Sequence, residues 1–358
     1  MSRYAVQFFR NVFFKGKLRF LIFFATSRCN CLCETCFYWK ELNRNNDLAL
    51  EEIEKVSASL GEVDTLLLSG GEPFLRQDLF EVCRLFIEKN KISVLSIPTN
   101  GLLTDRIVEF SEKIMDKYPR LKLSINPSLD GFRETHDRVR GVPGAFDNVA
   151  RTMSRLLKIG RGRENLIIAA NTVITRKNLP ELEGLMDFVF KNFDVTYHDF
   201  ELLRGDYKNQ GLSLPSLEEI KSIHGKIIRN RRKYLARKNS GFFENFAVTG
   251  VLALTQAVKE GHLCKKGPFF SCSAGGNIGV IDANGDVRLC ELMAPIGNLR
   301  ECGHDFYSAW KSPKAQEQRR HIIEKRCGCT HVCFINMTLA RYLRTIFYLI
   351  YYYNKRKK

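Results

Sequence analysis

Asp64-Thr65-Leu66-Leu67-Leu68-Ser69 runs straight into Gly70-Gly71-Glu72-Pro73, and a helical pattern over Arg76–Asn90 follows. The first six residues are a short apolar run of the kind that is buried on both faces as a strand. The two glycines let the backbone come close to a neighbour or a ligand. Read alone, Gly-Gly-Glu-Pro is a turn leading into a helix, with Glu72 offering a carboxylate to an ammonium. The same strand–turn–helix unit recurs on both sides. Upstream are a strand at Leu18–Ala25 and a helix at Leu50–Leu60. Downstream come strands at Ile92–Pro98, Leu121–Ile125, Leu166–Thr175 and Val195–Leu203. Helices at Leu103–Tyr118, Ala145–Ile159 and Pro180–Phe193 separate them. Parallel strands need a helical crossover to return the chain. Six such units predict an α/β fold, a curved partial (βα)6 parallel barrel; a flat doubly wound sheet is the alternative.

After residue 204 the pattern changes. Ser216–Lys238 and Glu244–Glu260 read as helices, and a Cys- and Gly-rich region fills 264–335. Within it, Asn277–Ile281 and Asp286–Cys290 flank Asp282-Ala283-Asn284-Gly285, a hairpin signal because Asn-Gly tolerates positive φ. The expected organisation is a basic amphipathic N-terminal helix over 1–17 and a core over 18–203. A helical linker follows over 204–262, then a Cys-rich domain over 263–335, and a basic amphipathic C-terminal helix over 336–358, densest at 337–353.

The 358 residues carry a net charge of +17 and 12 cysteines, with 44% hydrophobic and 27% charged residues. That balance excludes a disordered chain, a fibrous repeat and a polytopic membrane protein. The charge is uneven: residues 1–28 hold six Lys/Arg and residues 337–358 six more, neither stretch containing an acid. No cleavable signal peptide is evident, so a reducing cytoplasmic setting is expected, where clustered cysteines serve metals more often than disulfides.

Cys29, Cys33 and Cys36 form C-x3-C-x2-C in the loop after the first strand. Three thiolates on one short loop suit three irons of a 4Fe–4S cube and leave the fourth iron without a protein ligand. A zinc knuckle with Cys31 as fourth ligand is the competing reading. In the second region Cys272, Gly285 and Cys290 give C-x12-G-x4-C across the hairpin, and Cys327, Cys329 and Cys333 follow as C-x-C-x3-C. A hairpin brings Cys272 and Cys290 together, and a later loop completes a cage; a zinc ribbon is again the alternative. Cys83 and Cys302 read as ordinary buried thiols.

The stretch Thr26-Ser27-Arg28-Cys29-Asn30-Cys31-Leu32-Cys33-Glu34-Thr35-Cys36-Phe37-Tyr38-Trp39 resembles the radical S-adenosylmethionine (SAM) superfamily. Thr35 departs from the pattern, in which an aromatic precedes the last cysteine, and Cys31 is extra. The resemblance implies that Cys29, Cys33 and Cys36 bind a 4Fe–4S cluster whose open iron is chelated by S-adenosyl-L-methionine. It assigns Gly70, Gly71 and Glu72 to the SAM amino group. Thr99-Asn100-Gly101, Ser128-Leu129-Asp130-Gly131, His136-Asp137 and Arg140-Gly141 look like segments contacting the ribose and carboxylate, with Asn100, Ser128, Asp130 and Arg140 as the contact residues. The Cys-rich end resembles the auxiliary-cluster domains called SPASM and twitch. The longer SPASM cysteine run is missing, so one auxiliary 4Fe–4S cluster is expected on Cys272, Cys290, Cys329 and Cys333, with Cys327 and Cys264 as substitutes.

The resemblance implies reductive cleavage of SAM to a 5′-deoxyadenosyl radical that takes a hydrogen atom from substrate, fed by a low-potential donor such as flavodoxin or ferredoxin. Phe8, Phe9, Phe13 and Phe14 among basic residues, and Leu339, Leu343, Ile346, Ile350 and Tyr353 at helical spacing before Lys355-Arg356-Lys357-Lys358, suit helices lying on an anionic membrane surface. Helices that cap the barrel with a solvated charged face are the plainer reading. A lipid or lipid-linked substrate follows from the first. Peptide modification and oxidation of a sugar alcohol are the alternatives. A nucleic-acid partner is not expected, because no base-stacking platform on a basic sheet is evident.

Overall fold

The computed structural model describes residues 17–266, 270–325 and 327–355. The N-terminal helix expected over 1–17 lies outside them except for Lys17, as do Arg356, Lys357 and Lys358.

Six parallel strands form the frame: β1 (Phe20–Thr26), β2 (Thr65–Gly70), β3 (Val94–Thr99), β4 (Lys122–Pro127), β5 (Leu166–Ile174) and β6 (Tyr197–Leu202). Their order in the sheet is their order in the chain. A doubly wound sheet reverses its order at a switch point; this one does not, and the barrel reading holds. Right-handed crossovers in unbroken sequence place the helices on one face, leaving the other to curl inward. The helices are α1 (Leu50–Leu60), α2 (Leu79–Asn90), α3 (Thr104–Lys117), α4 (Arg133–Arg140), α5 (Ala145–Ile159) and α6 (Leu182–Asn192). The register runs Phe20↔Thr65 to Phe24↔Ser69 between β1 and β2, then shifts before Thr26↔Gly70. That irregularity splays the two strand ends where the Cys loop and Gly70-Gly71 begin.

Helix α4 is absent from the sequence reading. Arg133-Glu134-Thr135-His136-Asp137-Arg138-Val139-Arg140 has no apolar stripe, and only Thr135, His136 and Val139 are buried. Helix α7 (Leu217–Arg237) opens with a capping box, Ser216 accepting from the Glu219 N–H and Glu219 accepting from the Ser216 N–H. Helix α8 (Phe242–Leu263) follows.

The Cys-rich region joins the same sheet. β7 (Ile278–Ile281) pairs parallel with the outer edge of β1, Phe20↔Ile278 to Phe23↔Ile281. β8 (Asp286–Arg288) and β9 (Gly297–Asn298) add antiparallel neighbours. The hairpin turn is longer than two residues. Gly285 has φ +89°, and Asn284 accepts from the Asp286 N–H at 3.0 Å. Helices α9 (Phe306–Trp310) and α10 (Pro313–Glu324) cover this end.

The single C-terminal helix expected at 337–353 is two helices, α11 (Val332–Leu339) and α12 (Thr345–Lys355). The break is held by Thr345, whose hydroxyl donates to the Leu339 carbonyl at 2.7 Å, and by the Tyr342 hydroxyl, which donates to Ser271 O at 3.2 Å. It keeps Leu339 in a small core with Leu254, Phe270 and Ile335, while α12 turns to lie along α8, with Leu349 close to Gly250. Leu343, Ile346, Phe347 and Ile350 are exposed. The stripe predicted as one face is therefore divided between core and surface.

Candidate active site

The strand ends open on one cavity of about 360 Å³. Cys29, Cys33, Cys36, Gly70, Gly71, Glu72, Asn100, Ser128 and Arg140 all line it. Five segments far apart in sequence thus meet as the loop spacing predicted.

The Cys loop is fastened from two sides. Leu32 N–H donates to Arg140 O and Glu34 N–H to Val139 O, so the end of α4 carries the loop. On the other side Lys208 N–H donates to Cys36 O and Asn209 N–H to Glu34 O. Gly71 is pressed so close to the Arg28 carbonyl that a Cβ would lie 2.0 Å from it. No other residue fits there, which accounts for the second glycine.

Glu72 is fully buried. Its Oε1 accepts from the Thr99 hydroxyl at 2.8 Å, and its Oε2 accepts from the Asn100 N–H at 2.7 Å. Phe74 N–H adds a third bond at 3.3 Å. Burial pushes the carboxyl up to about 7 against these donors. The side chain thus ties the end of β2 to the end of β3.

Arg140 spans the cavity wall. Its Nη2 lies 2.7 Å from Asp130 Oδ2 and its Nη1 3.6 Å from Cys33 Sγ. Asp130 itself is buried behind Arg140 and accepts from the Val173 N–H at 2.9 Å. It meets the cavity through Arg140 rather than directly. A hydrogen bond from the buried Cys31 thiol, helped by Arg140, draws Cys33 down to about 6 against its burial. The same thiol lowers Cys29. Cys31 therefore lies beside two of the motif thiols, and its backbone N–H donates to Cys29 Sγ at 3.4 Å. Burial, with Cys33 nearby, pushes Cys36 up to about 12.

The far wall went unread in the sequence. Tyr197, Asp199 and Glu201 on β6, Asn171 on β5 and Asn126 on β4 face the cavity. Between them His198 and Phe200 are buried behind the sheet. The polar–apolar alternation of β6 was the available signal. Arg204, Glu291 and His331 complete the wall. His331 Nε2 lies 2.6 Å from Glu291 Oε2, and Arg204 Nη2 3.5 Å from the same oxygen. Burial opposes the charge on Glu291, but His331 and then Arg204 hold it ionised, down to about 2. Lys259, buried on α8, approaches Glu201 at 4.0 Å.

The C-terminal thiols divide. Cys272, Cys327 and Cys329 line a second, small cavity, whereas Cys333 lines the large one. Cys83 is fully buried, and the half-buried Cys302 donates to Asn298 O at 3.1 Å. Among the described residues no three His, Cys, Asp or Glu side chains converge on the position of a single metal ion. A lowered Cys33, a cationic Arg140 beside it and three thiols opening on one cavity fit the donor set of a 4Fe–4S cluster.

Residues 24–189 match the Radical SAM superfamily. The Fe-coproporphyrin III synthase of Methanosarcina barkeri is 32% identical over 181 residues, which is 49% of this chain and 42% of that protein. The chain thus aligns with less than half the length of that relative. The pre-heme d1 synthase of Dinoroseobacter shibae is 26% identical over 332 residues, 86% of this chain and 78% of that one. Among solved structures, native anSMEcpe with bound AdoMet superposes with a TM-score of 0.62 at 19% identity, covering 94% of this chain and 99% of the other. That likeness is one of fold. The ordered parallel sheet, the thiol loop at its strand ends and the family match agree: residues 24–189 carry a radical SAM domain.

Proposed function

We propose that this chain is a radical SAM enzyme that cleaves S-adenosylmethionine reductively and removes a hydrogen atom from a substrate held against the β4–β6 wall. The observation that carries the reading is the meeting of Cys29, Cys33 and Cys36 with Gly70–Glu72, Asn100, Ser128 and Arg140 in one cavity. Its volume, about 360 Å³, falls in the range of small-molecule sites. An iron–sulfur cube with bound SAM supplies, when present, the one-electron chemistry. The chain's own residues do the rest. Arg140 balances the thiolate charge, Glu72 fixes two loops together, and the segment 204–209 closes over the Cys loop. Asn126, Asn171, Asp199 and Glu201 supply polar contacts for a substrate. An auxiliary 4Fe–4S cluster at the C-terminal thiols and a flavodoxin- or ferredoxin-type donor belong to the same reading. Anaerobic reconstitution tests it: a brown protein that forms 5′-deoxyadenosine from SAM supports it, and a colourless zinc protein overturns it.

For the substrate, we favour a lipid or lipid-linked molecule met at the inner, anionic membrane face. No helix among the described residues is long and apolar enough to cross a membrane. On α12, however, Phe347 is 75% and Ile350 45% exposed, and Phe243 at the adjoining start of α8 is 85% exposed. Phe246 and Tyr353 touch at 4.9 Å between their ring centres, so these residues form one surface. In the sequence, residues 337–358 hold six Lys/Arg and no acid. An apolar face on a basic segment suits anionic lipid. A haem precursor is the second reading, favoured by the alignment of the pre-heme d1 synthase over 86% of this chain.

A further inference from the structure

Cys333 faces away from the other C-terminal thiols. Helix α11 lines the small cavity with Phe334, Ile335, Thr338 and Leu339, one face at helical spacing. Cys333 lies about 200° around the helix from Ile335, and it lines the large cavity with Val332, His331, Glu291 and Arg204. Cys272, Cys327 and Cys329 share the small cavity. Cys290 ends the hairpin that begins near Cys272.

The electrostatic neighbours overlap at the wall, where Arg204 reaches Cys329 and Glu291 reaches Cys290, but only Cys272, Cys290 and Cys329 have other C-terminal thiols among their neighbours. After burial, Cys327 is among the groups that raise Cys272, and Cys272 and Cys327 are among those that raise Cys329. Cys329 and Cys272 act likewise on Cys290. For Cys333, burial is followed by Glu201 and Glu291, with Arg204 opposing them.

Resting on the reading of an auxiliary cluster, we propose that Cys272, Cys290, Cys327 and Cys329 hold it, and that Cys333 is a thiol of the substrate cavity beside Arg204. Four thiolate ligands leave no open iron. The cluster then exchanges electrons with the substrate site and does not bind the substrate. Cys333 lines the wall where a substrate would be held.

The test uses the full chain carrying Cys29→Ala, Cys33→Ala and Cys36→Ala, which removes the first site and leaves the second. After anaerobic reconstitution, iron and zinc are counted and EPR spectra recorded on the reduced protein. About four irons per chain are expected, since one 4Fe–4S cluster remains. Adding Cys333→Ser or Cys333→Ala should leave that count and the spectrum unchanged. Adding Cys327→Ser should remove most of the iron or change the spectrum, with circular dichroism showing a folded chain. Iron that depends on Cys333 and survives Cys327→Ser overturns this assignment alone. A background chain that binds no iron overturns the auxiliary-cluster reading, and the assignment with it.

Discussion

Glu72 Oε2 accepts a hydrogen bond from the Asn100 backbone N–H at 2.7 Å, across the ends of two neighbouring strands. The other carboxylate oxygen takes the Thr99 hydroxyl. One buried acid thus sets the spacing of the two loops that the family resemblance assigns to SAM. Glu72→Gln keeps the size but turns one acceptor corner into a donor facing another donor. We predict a stability loss of about 1–3 kcal/mol, the cost of an unmet buried hydrogen bond, and weaker SAM binding by calorimetry on the reconstituted protein. An unchanged melting temperature and affinity would show that the clamp is incidental.

Arg140 and Asp130 form a buried pair at 2.7 Å. Removing one partner strands the other. Arg140→Leu is expected to cost about 3–5 kcal/mol, and the double variant with Asp130→Asn less than that. In the apo protein Arg140→Leu should also raise the Cys33 thiol, which now stands at about 6, and slow its alkylation at neutral pH. Thermal melts and mass-resolved alkylation read both effects. Equal losses in the single and double variants would contradict the pairing.

His198 is buried against Thr172, with Nε2 2.7 Å from the hydroxyl. Burial, with Arg231 nearby, lowers it from 6.5 to about 3. Its folded-state value lies below the unfolded one, so unfolding takes up a proton between them. The stability it contributes is complete above pH 6.5 and is lost as pH falls toward 3, at up to about 1.4 kcal/mol per pH unit. His136, lowered to about 4 mainly by burial, acts in the same direction. Glu72 and Asp282, raised by burial to about 7 and about 6, act the opposite way over this range, so the test is a difference: from pH 7 to pH 5 the melting temperature of the unaltered chain should drop relative to that of His198→Gln. An equal slope in the variant would remove His198 as the cause.

The barrel was legible because each unit spells itself out. Leu50–Leu60 and Ala145–Ile159 have the same limits in sequence and structure, since both pair an apolar stripe with clear ends. The three motif thiols and Gly70–Glu72 could be placed together because loops after parallel strands share one edge. Helix α4 could not be found: its charged surface carries almost no apolar signal, and it exists because the Cys loop and Asp130 pack on it. The Glu291–His331 pair was equally hidden, since 40 residues and three elements separate its members. The division of the C-terminal thiols depends on which face of α11 each element meets, and spacing alone does not carry that information.

Membrane binding rests on the exposed face of α12. Phe347→Glu with Ile350→Glu changes only exposed residues, so stability should move little. The fraction sedimenting with anionic vesicles should fall several-fold. For the unaltered protein 1 M salt should also weaken binding, because the Debye length shrinks from about 10 Å at 0.1 M to about 3 Å. Each Lys/Arg near such a surface contributes on the order of 1 kcal/mol. Protein that stays in the supernatant at low salt would make these helices a cover on the barrel and move the haem-precursor reading ahead.

The central claim is that Cys29, Cys33 and Cys36 build the site at which SAM is cleaved. The most direct measurement is 5′-deoxyadenosine formed from SAM by anaerobically reconstituted, reduced protein, with and without Cys29→Ala, Cys33→Ala and Cys36→Ala. The unaltered chain should hold about eight irons as two cubes and form the product. The triple variant should keep about half of the iron and form none. Product at the unaltered rate in the triple variant, or none from an iron-replete unaltered chain, would contradict the account.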